Sequence, residues 1–241
     1  MLALLKKKMA SKPSKRYQAA SELVETGKTY PLEDAIGLLQ KMPAPKFDGT
    51  MTVSFRLGVD PRKSDQMVRG SVALPHGTGK SVRVIVFAIG DAAKAAEAAG
   101  ADEVGMDDLI KKVQDGFLDF DAAIATPDAM KEVRKIARVL GPRGLMPNPK
   151  TGTVTDDTAK AVNAAKAGKI DYKIDKNGCL AAPVGKASFT SAQLVENAGA
   201  LIDSVVKAKP SSAKGDYVRS ATLASSMLPG VALDPALYAT I

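Results

Sequence analysis

The run Val82 to Ala88 (VRVIVFA) is apolar and β-branched at nearly every position, as expected for a strand covered on both faces in a small parallel sheet. The neighbouring residues agree. Ala92 to Ala99 reads as an alanine-rich helix ended by Gly100, Ala101 to Val104 as a short strand, and Met106 to Asp115 as a helix opened by acidic residues. Asp121 to Thr126 reads as a strand, Ala129 to Leu140 as a helix after Pro127-Asp128, and Asp156 to Ala167 as another helix. Strands alternating with helices of about ten residues imply βαβ units. Gly141 to Gly152 (GPRGLMPNPKTG) has no apolar period and is expected to be a loop.

The two ends are written in another style. Lys15 to Thr26 carries Ala19, Leu23 and Val24 at helical spacing, and Pro31 opens a second helix with Glu33 and Asp34 at its positive end and Ala35, Ile36, Leu38 and Leu39 inward. Phe47, Met51, Val53, Phe55 and Leu57 then alternate with polar residues, the mark of a half-buried strand with one polar face. Val68 to Leu74 reads as its return strand after the turn Gly58 to Asp65. Ile170 to Ile174 and Cys179 to Ala182 flank Lys176-Asn177-Gly178, a strong hairpin signal, and Cys179 is expected in the core. Gln193 to Lys207 is a long amphipathic helix, and Tyr217 to Ala224 with Val231 to Leu233 forms a last hairpin. The fold class is therefore α/β with two domains. Residues 1–76 and 169–241 form a split α+β domain, an antiparallel sheet with helices, and residues 77–168 form an inserted parallel α/β domain.

Charge follows the same division. The chain of 241 residues carries a net +8, made of +6 in residues 1–76, zero in 77–168 and +2 in 169–241. Part of it lies in a basic tail, Lys6, Lys7, Lys8, Lys12, Lys15 and Arg16, which is either solvated or meets an anionic partner. No apolar run approaches the ~18 residues of a membrane span, and Leu2 to Leu5 is shorter than a signal-peptide core of about 7, so a cytosolic, non-membrane protein is expected. A single cysteine, Cys179, and a single histidine, His76, leave nothing for a disulfide or a Cys/His zinc site.

Three features carry candidate chemistry. Gly77-Thr78-Gly79-Lys80-Ser81 looks like the end of a P-loop, but Leu74 stands where its first glycine belongs and a strand comes next where a helix is needed. A glycine-rich connection between domains, hinged at Pro75, His76, Gly77 and Gly79, is preferred, with a nucleotide-dependent enzyme as the alternative. The carboxylates Asp102, Glu103, Asp107 and Asp108 serve a helix start, and lone His76 is a structural residue. Arg138 to Lys150 presents Arg143, Met146 and Lys150, either to a phosphate backbone or to pack the loop down. Phe47 with Lys46 and Thr50, and Ser225, Ser226 and Met227 at a hairpin tip, combine hydroxyls and cations with surfaces that a base or ribose can lie on.

Lys46 to Thr50 (KFDGT), Leu57 to Arg69 (LGVDPRKSDQMVR), Ala73 to Lys80 (ALPHGTGK), Val139 to Val154 (VLGPRGLMPNPKTGTV), Ala182 to Phe189 (APVGKASF) and Ser220 to Gly230 (SATLASSMLPG) together resemble the bacterial large-subunit ribosomal protein L-one family, the family of the ribosomal stalk, from Met9 to Asp234. The resemblance makes the inserted domain Rossmann-like and implies a non-enzymatic, cofactor-free component of the cytoplasmic ribosome, monomeric outside it. Its implied partners are large-subunit ribosomal RNA, exit-site tRNA, whose release it assists, and its own-operon mRNA, which it represses. It carries the RNA surface onto Lys46, Phe47, Thr50, Lys176, Ser220, Ser226, Met227, Pro229 and Gly230, with secondary contacts at Arg143, Met146 and Lys150. Where the family has Met-Gly-Pro this chain has Met227-Leu228-Pro229, so Leu228→Gly is expected to keep or tighten RNA binding. Met9-Ala10-Ser11 resembles the family's usual start, which makes Met1 to Lys8 an extension or a misassigned start.

Overall fold

The computed structural model describes residues 13–25 and 27–238; the basic run Lys6 to Lys12 and the start at Met9 lie outside them. The fold is mixed α/β, with antiparallel and parallel sheets in one chain. A four-stranded antiparallel sheet is built around β1 (Thr50–Leu57), which lies between β7 (Cys179–Lys186) and β8 (Val218–Ser225), with β9 (Val231–Leu233) outside β8. The alternation seen in the sequence sets its faces: Met51, Val53, Phe55 and Leu57 are buried, while Thr50, Thr52, Ser54 and Arg56 are not. Against the buried face pack helices α2 (Leu32–Lys41) and α8 (Ser191–Lys207). α8 starts at a capping box: Thr190 Oγ1 accepts from Gln193 N and Gln193 Oε1 accepts from Thr190 N.

The middle of the chain forms a parallel sheet in the order β4 (Glu103–Gly105), β3 (Val84–Phe87), β5 (Ala122–Ala125), with β3 buried at all four positions. Helices α3 (Asp91–Ala98) and α7 (Thr158–Lys166) serve one apolar cluster, and α4 (Asp107–Gln114), α5 (Met130–Val133) and α6 (Ala137–Arg143) serve the other. A further cluster draws on residues from Ala20 to Leu74 and again from Ile170 to Leu233.

Several local expectations change. In α1 (Lys15–Glu22) it is Ala20 that is buried, while Ala19 and Leu23 are exposed. Pro31 caps α2 rather than occupying its first turn. β2 (Arg69–Ala73) does not return on β1; it pairs with β6 (Lys169–Lys173) in a separate two-stranded sheet. The Asn-Gly turn forms, with Asp175 N donating to Cys179 O, yet the strands on either side of it join different sheets. The basic-faced helix is broken by a 3₁₀ turn at Arg134–Ile136 and runs on through Pro142 to Arg143, so helix covers the start of the expected loop. Cys179 is half-buried opposite Arg56 rather than in the core.

The two crossings between the ends and the middle touch backbone to backbone. A Cβ on Gly168 would lie 2.4 Å from the Gly77 Cα, and Gly168 has φ +96°, so only glycine fits there. Fully buried Asn197 on α8 binds this crossing: its Oδ1 accepts from His76 N (3.0 Å) and its Nδ2 donates to Gly77 O (3.0 Å) and Val184 O (2.7 Å). Val184 is the residue skipped by the bulge between β1 and β7, which frees its carbonyl. Asn197→Ala leaves two carbonyls without this donor and one amide without this acceptor, and is expected to lower the unfolding free energy by about 2–4 kcal/mol in urea titrations. Truncation of neighbouring Glu196, an exposed partner of the His76 ring, is expected to cost less than about 1 kcal/mol.

Candidate nucleic-acid interface

At the Thr50 end of β1, three chain segments are sewn together by short hydrogen bonds. Ser226 N donates to Thr50 O and Thr50 N donates to Ser226 Oγ, both at 3.1 Å. Ala187 N donates to Gly49 O (2.7 Å), and the Asp48 carboxylate accepts from Ser188 N and Ser188 Oγ. The approach is close enough to need glycine: a Cβ on Gly49 would sit 3.0 Å from Ser225 Oγ, and one on Gly230 2.8 Å from Thr222 Cγ2. With the backbone held in this way, the two apolar side chains point outward, Phe47 at 55% exposure and Met227 at 67%.

Met227 is the one non-glycine residue with positive φ (62°) among those described. A side chain in this left-handed region costs roughly 1 kcal/mol, and the tip is held in place by Arg16, whose guanidinium donates to Met227 O (3.1 Å) and Pro43 O (3.2 Å). Leu228 lacks positive φ and packs on the core beneath, so glycine's conformational freedom is not required there. Pro229 is buried, contrary to its expected place on the surface, and shapes the tip from below. Gly230 is exposed beside it.

The remaining expected residues fall at the other end of the strand. Lys176 stands exposed in a turn whose Asp175 carboxylate accepts from Asn177 N and Cys179 N, while Gly178 O takes the Leu57 N–H. Ser220 is exposed directly across from Arg56. Between the two ends, Thr52, Ser54 and Arg56 of β1 lie beside Ala224, Thr222 and Ser220 of β8 and Pro183, Ala181 and Cys179 of β7. Every residue of that face is half-buried or exposed. It is an uncovered hydroxyl-bearing surface about 26 Å long, taking eight strand residues at about 3.3 Å each. Thr52, Ser54, Arg56, Thr222 and Lys186, whose Nζ donates to Thr50 Oγ1, join this face without belonging to the expected set, although the polar alternation of β1 already marked three of them.

The secondary candidates do not join this face. Arg143 is exposed at the end of α6, whereas Met146 is half-buried against the second apolar cluster and lines a cavity of about 160 Å³ with Leu145 and Lys169. Packing the loop down is thus what Met146 does. Lys150 lies in the 3₁₀ turn Pro149–Thr151, which is fastened by Lys169 Nζ donating to Thr151 O (2.6 Å). Pro75 and His76 are exposed beside half-buried Gly77, and a Cβ on Gly79 would strike the Phe189 ring at 2.8 Å.

The P-loop resemblance ends in the structure. Lys80 is paired with Asp121, holding that carboxyl below its usual range, and β3 comes next where a phosphate-binding helix is needed. Ion pairing sharpens the division of charge. Of the eight ion pairs among the described residues, six join partners between Lys80 and Lys166, including Arg83–Asp119 and Lys112–Glu103. Lys46, Arg56, Lys176 and Arg219 on the ends have no such partner among the described residues. The neutral middle thus balances its charges and pairs part of them internally, and these four cations of the ends face solvent or an anion.

The chain matches the Ribosomal protein L1p/L10e family over residues 39–229. It is 58% identical to the Large ribosomal subunit protein uL1 of Mycobacteroides abscessus over 225 residues, 93% of this chain and 96% of that one. It is also 58% identical to the protein of the same name from Renibacterium salmoninarum, again over 93% and 96%, and 57% identical to that from Solibacter usitatus, over 95% and 97%. These are structural proteins rather than enzymes. Carrying a match that spans both the β1 end and the hairpin tip, the chain belongs to the Ribosomal protein L1p/L10e family.

Proposed function

We propose that this protein is a constituent of the large subunit of the cytoplasmic ribosome and binds large-subunit ribosomal RNA on the uncovered face of the β1 sheet. The observation that carries this reading is the pair of exposed apolar side chains, Phe47 and Met227, held beside hydroxyls and unpaired cations by a backbone with no slack. Such a surface suits RNA: aromatic and thioether groups lie against base or ribose, hydroxyls meet the 2′-OH, and lysines meet phosphate. On the same reading, the described parts of residues 1–76 and 169–241 form the RNA-binding domain, and residues 77–168 form an inserted Rossmann-like domain on a hinge at Pro75, His76, Gly77 and Gly79. Its support is the separation of the apolar clusters and the backbone contact at Gly77 and Gly168. The protein acts as a monomer before assembly, sits in the stalk beside the exit site, assists release of deacylated tRNA, and represses its own-operon mRNA by accepting a similar RNA structure there.

Two substitutions separate binding from folding. Phe47→Ala is expected to weaken association with bacterial large-subunit ribosomal RNA by about tenfold or more in filter binding, since a stacked base is worth about 1–3 kcal/mol. Met227→Gly relieves the left-handed strain and is expected to raise stability by about 0.5–1 kcal/mol while weakening RNA binding. A variant that binds as tightly as the parent overturns the assignment of the tip. Leu228→Gly is expected to lower stability by about 1–2 kcal/mol through lost burial, with RNA affinity within about threefold of the parent.

A further inference from the structure

The end of β1 away from Phe47 and Met227 opens into an uncommitted, strongly basic cavity. It has a volume of about 450 Å³ and is lined by Lys63, Lys214 and Arg219 together with Gln66, Ser212 and Asp60. Three cations face one carboxylate. None of the three is ion-paired among the described residues. The Asp60 carboxylate, whose Oδ1 accepts from Arg62 N, offsets one of these charges and leaves the wall net positive.

The wall is built rather than incidental. Gln66 spans the cavity's two sides, its Oε1 accepting from Asp60 N (2.8 Å) and its Nε2 donating to Ser212 O (3.3 Å). Gly58 N donates to Tyr217 O (2.7 Å), which brings the strand end against residues 216–219. A Cβ on Gly58 would lie 2.2 Å from Asp216 O and 3.3 Å from Arg219 Nε, so the glycine is what lets the guanidinium lie against the backbone here. The Ser212 hydroxyl, shielded from solvent, has no hydrogen-bond partner among the described residues.

The geometry points to a phosphate-binding pocket: Lys63, Lys214 and Arg219 hold a backbone phosphate of the RNA that crosses the β1 face, giving that RNA a second anchor at the far end of the strand. This rests on the RNA-binding reading above and extends it to residues outside that site. Arg56 and Lys176 stand at the same end of β1. An anchor at each end of an eight-residue strand fixes the direction in which the RNA lies, which a single stacking site cannot do.

The test measures affinity for purified bacterial large-subunit ribosomal RNA across a potassium chloride series, using the full chain. Lys63→Ala/Lys214→Ala/Arg219→Ala is compared with Lys94→Ala/Lys111→Ala/Lys131→Ala, which removes equal charge from the middle segment. The pocket variant is expected to bind about tenfold more weakly than the control, with the salt slope reduced by about 0.7–0.9 for each phosphate that is no longer held. Lys214→Glu, a single change at an exposed loop residue, is expected to weaken binding likewise, and Lys63→Arg/Lys214→Arg to retain it. If the pocket and control variants bind alike with equal slopes while Phe47→Ala weakens binding, the pocket proposal is overturned and the RNA face stands. If Phe47→Ala also binds like the parent, the RNA face fails as well.

Discussion

Everything in this fold depends on β1 taking both of its neighbours from the far end of the chain. Met51, Val53, Phe55 and Leu57 find cover only when Cys179–Lys186 and Val218–Ser225 have returned to flank them. The intervening residues bury apolar surface of their own around the parallel sheet of β3. Pairing over such sequence distances is slow to find and highly cooperative once found. The two crossings must then pass each other at close quarters. Gly77, Gly168 and the buried Asn197 meet that requirement, with a bulge supplying the second of the two carbonyls that accept from the Asn197 amide.

The same pairing makes the open face. Helices cover one face of the sheet, and the other is left with threonine, serine, alanine and arginine. Small side chains keep that face flat, hydroxyls keep it wettable, and the tight stitching at Gly49, Thr50 and Ser226 sets Phe47 and Met227 proud of it. Electrostatics act in the same direction. The middle segment has as many carboxylates as lysines and arginines, so the net positive field of the protein arises from the ends.

Periodicity made much of this visible in advance. The β-branched run at Val82 to Ala88 announced a doubly covered strand, and the alternation in β1 announced a sheet with one open face, because each is a local consequence of burial. Partner choice was less legible. The Asn-Gly turn after Asp175 is a real turn, but β6 and β7 separate to pair with β2 and β1, partners distant in sequence that no local pattern names. At the hairpin tip the sequence pointed to Leu228 as the exceptional position. The left-handed residue is Met227, one place earlier, and Leu228 and Pro229 turn inward. The role of Arg16 had no sequence signal, because its acceptors are two backbone carbonyls far along the chain.

The central claim is that RNA lies along the β1 face and not across the neutral middle. Lysine acetylation footprinting of the full chain, with and without bacterial large-subunit ribosomal RNA and read by mass spectrometry, addresses it directly. The account predicts protection of Lys46 and Lys176, at opposite ends of that strand, while Lys94, Lys111, Lys131 and Lys160 react as they do in the free protein. Protection of the latter group with Lys46 and Lys176 left reactive would contradict it.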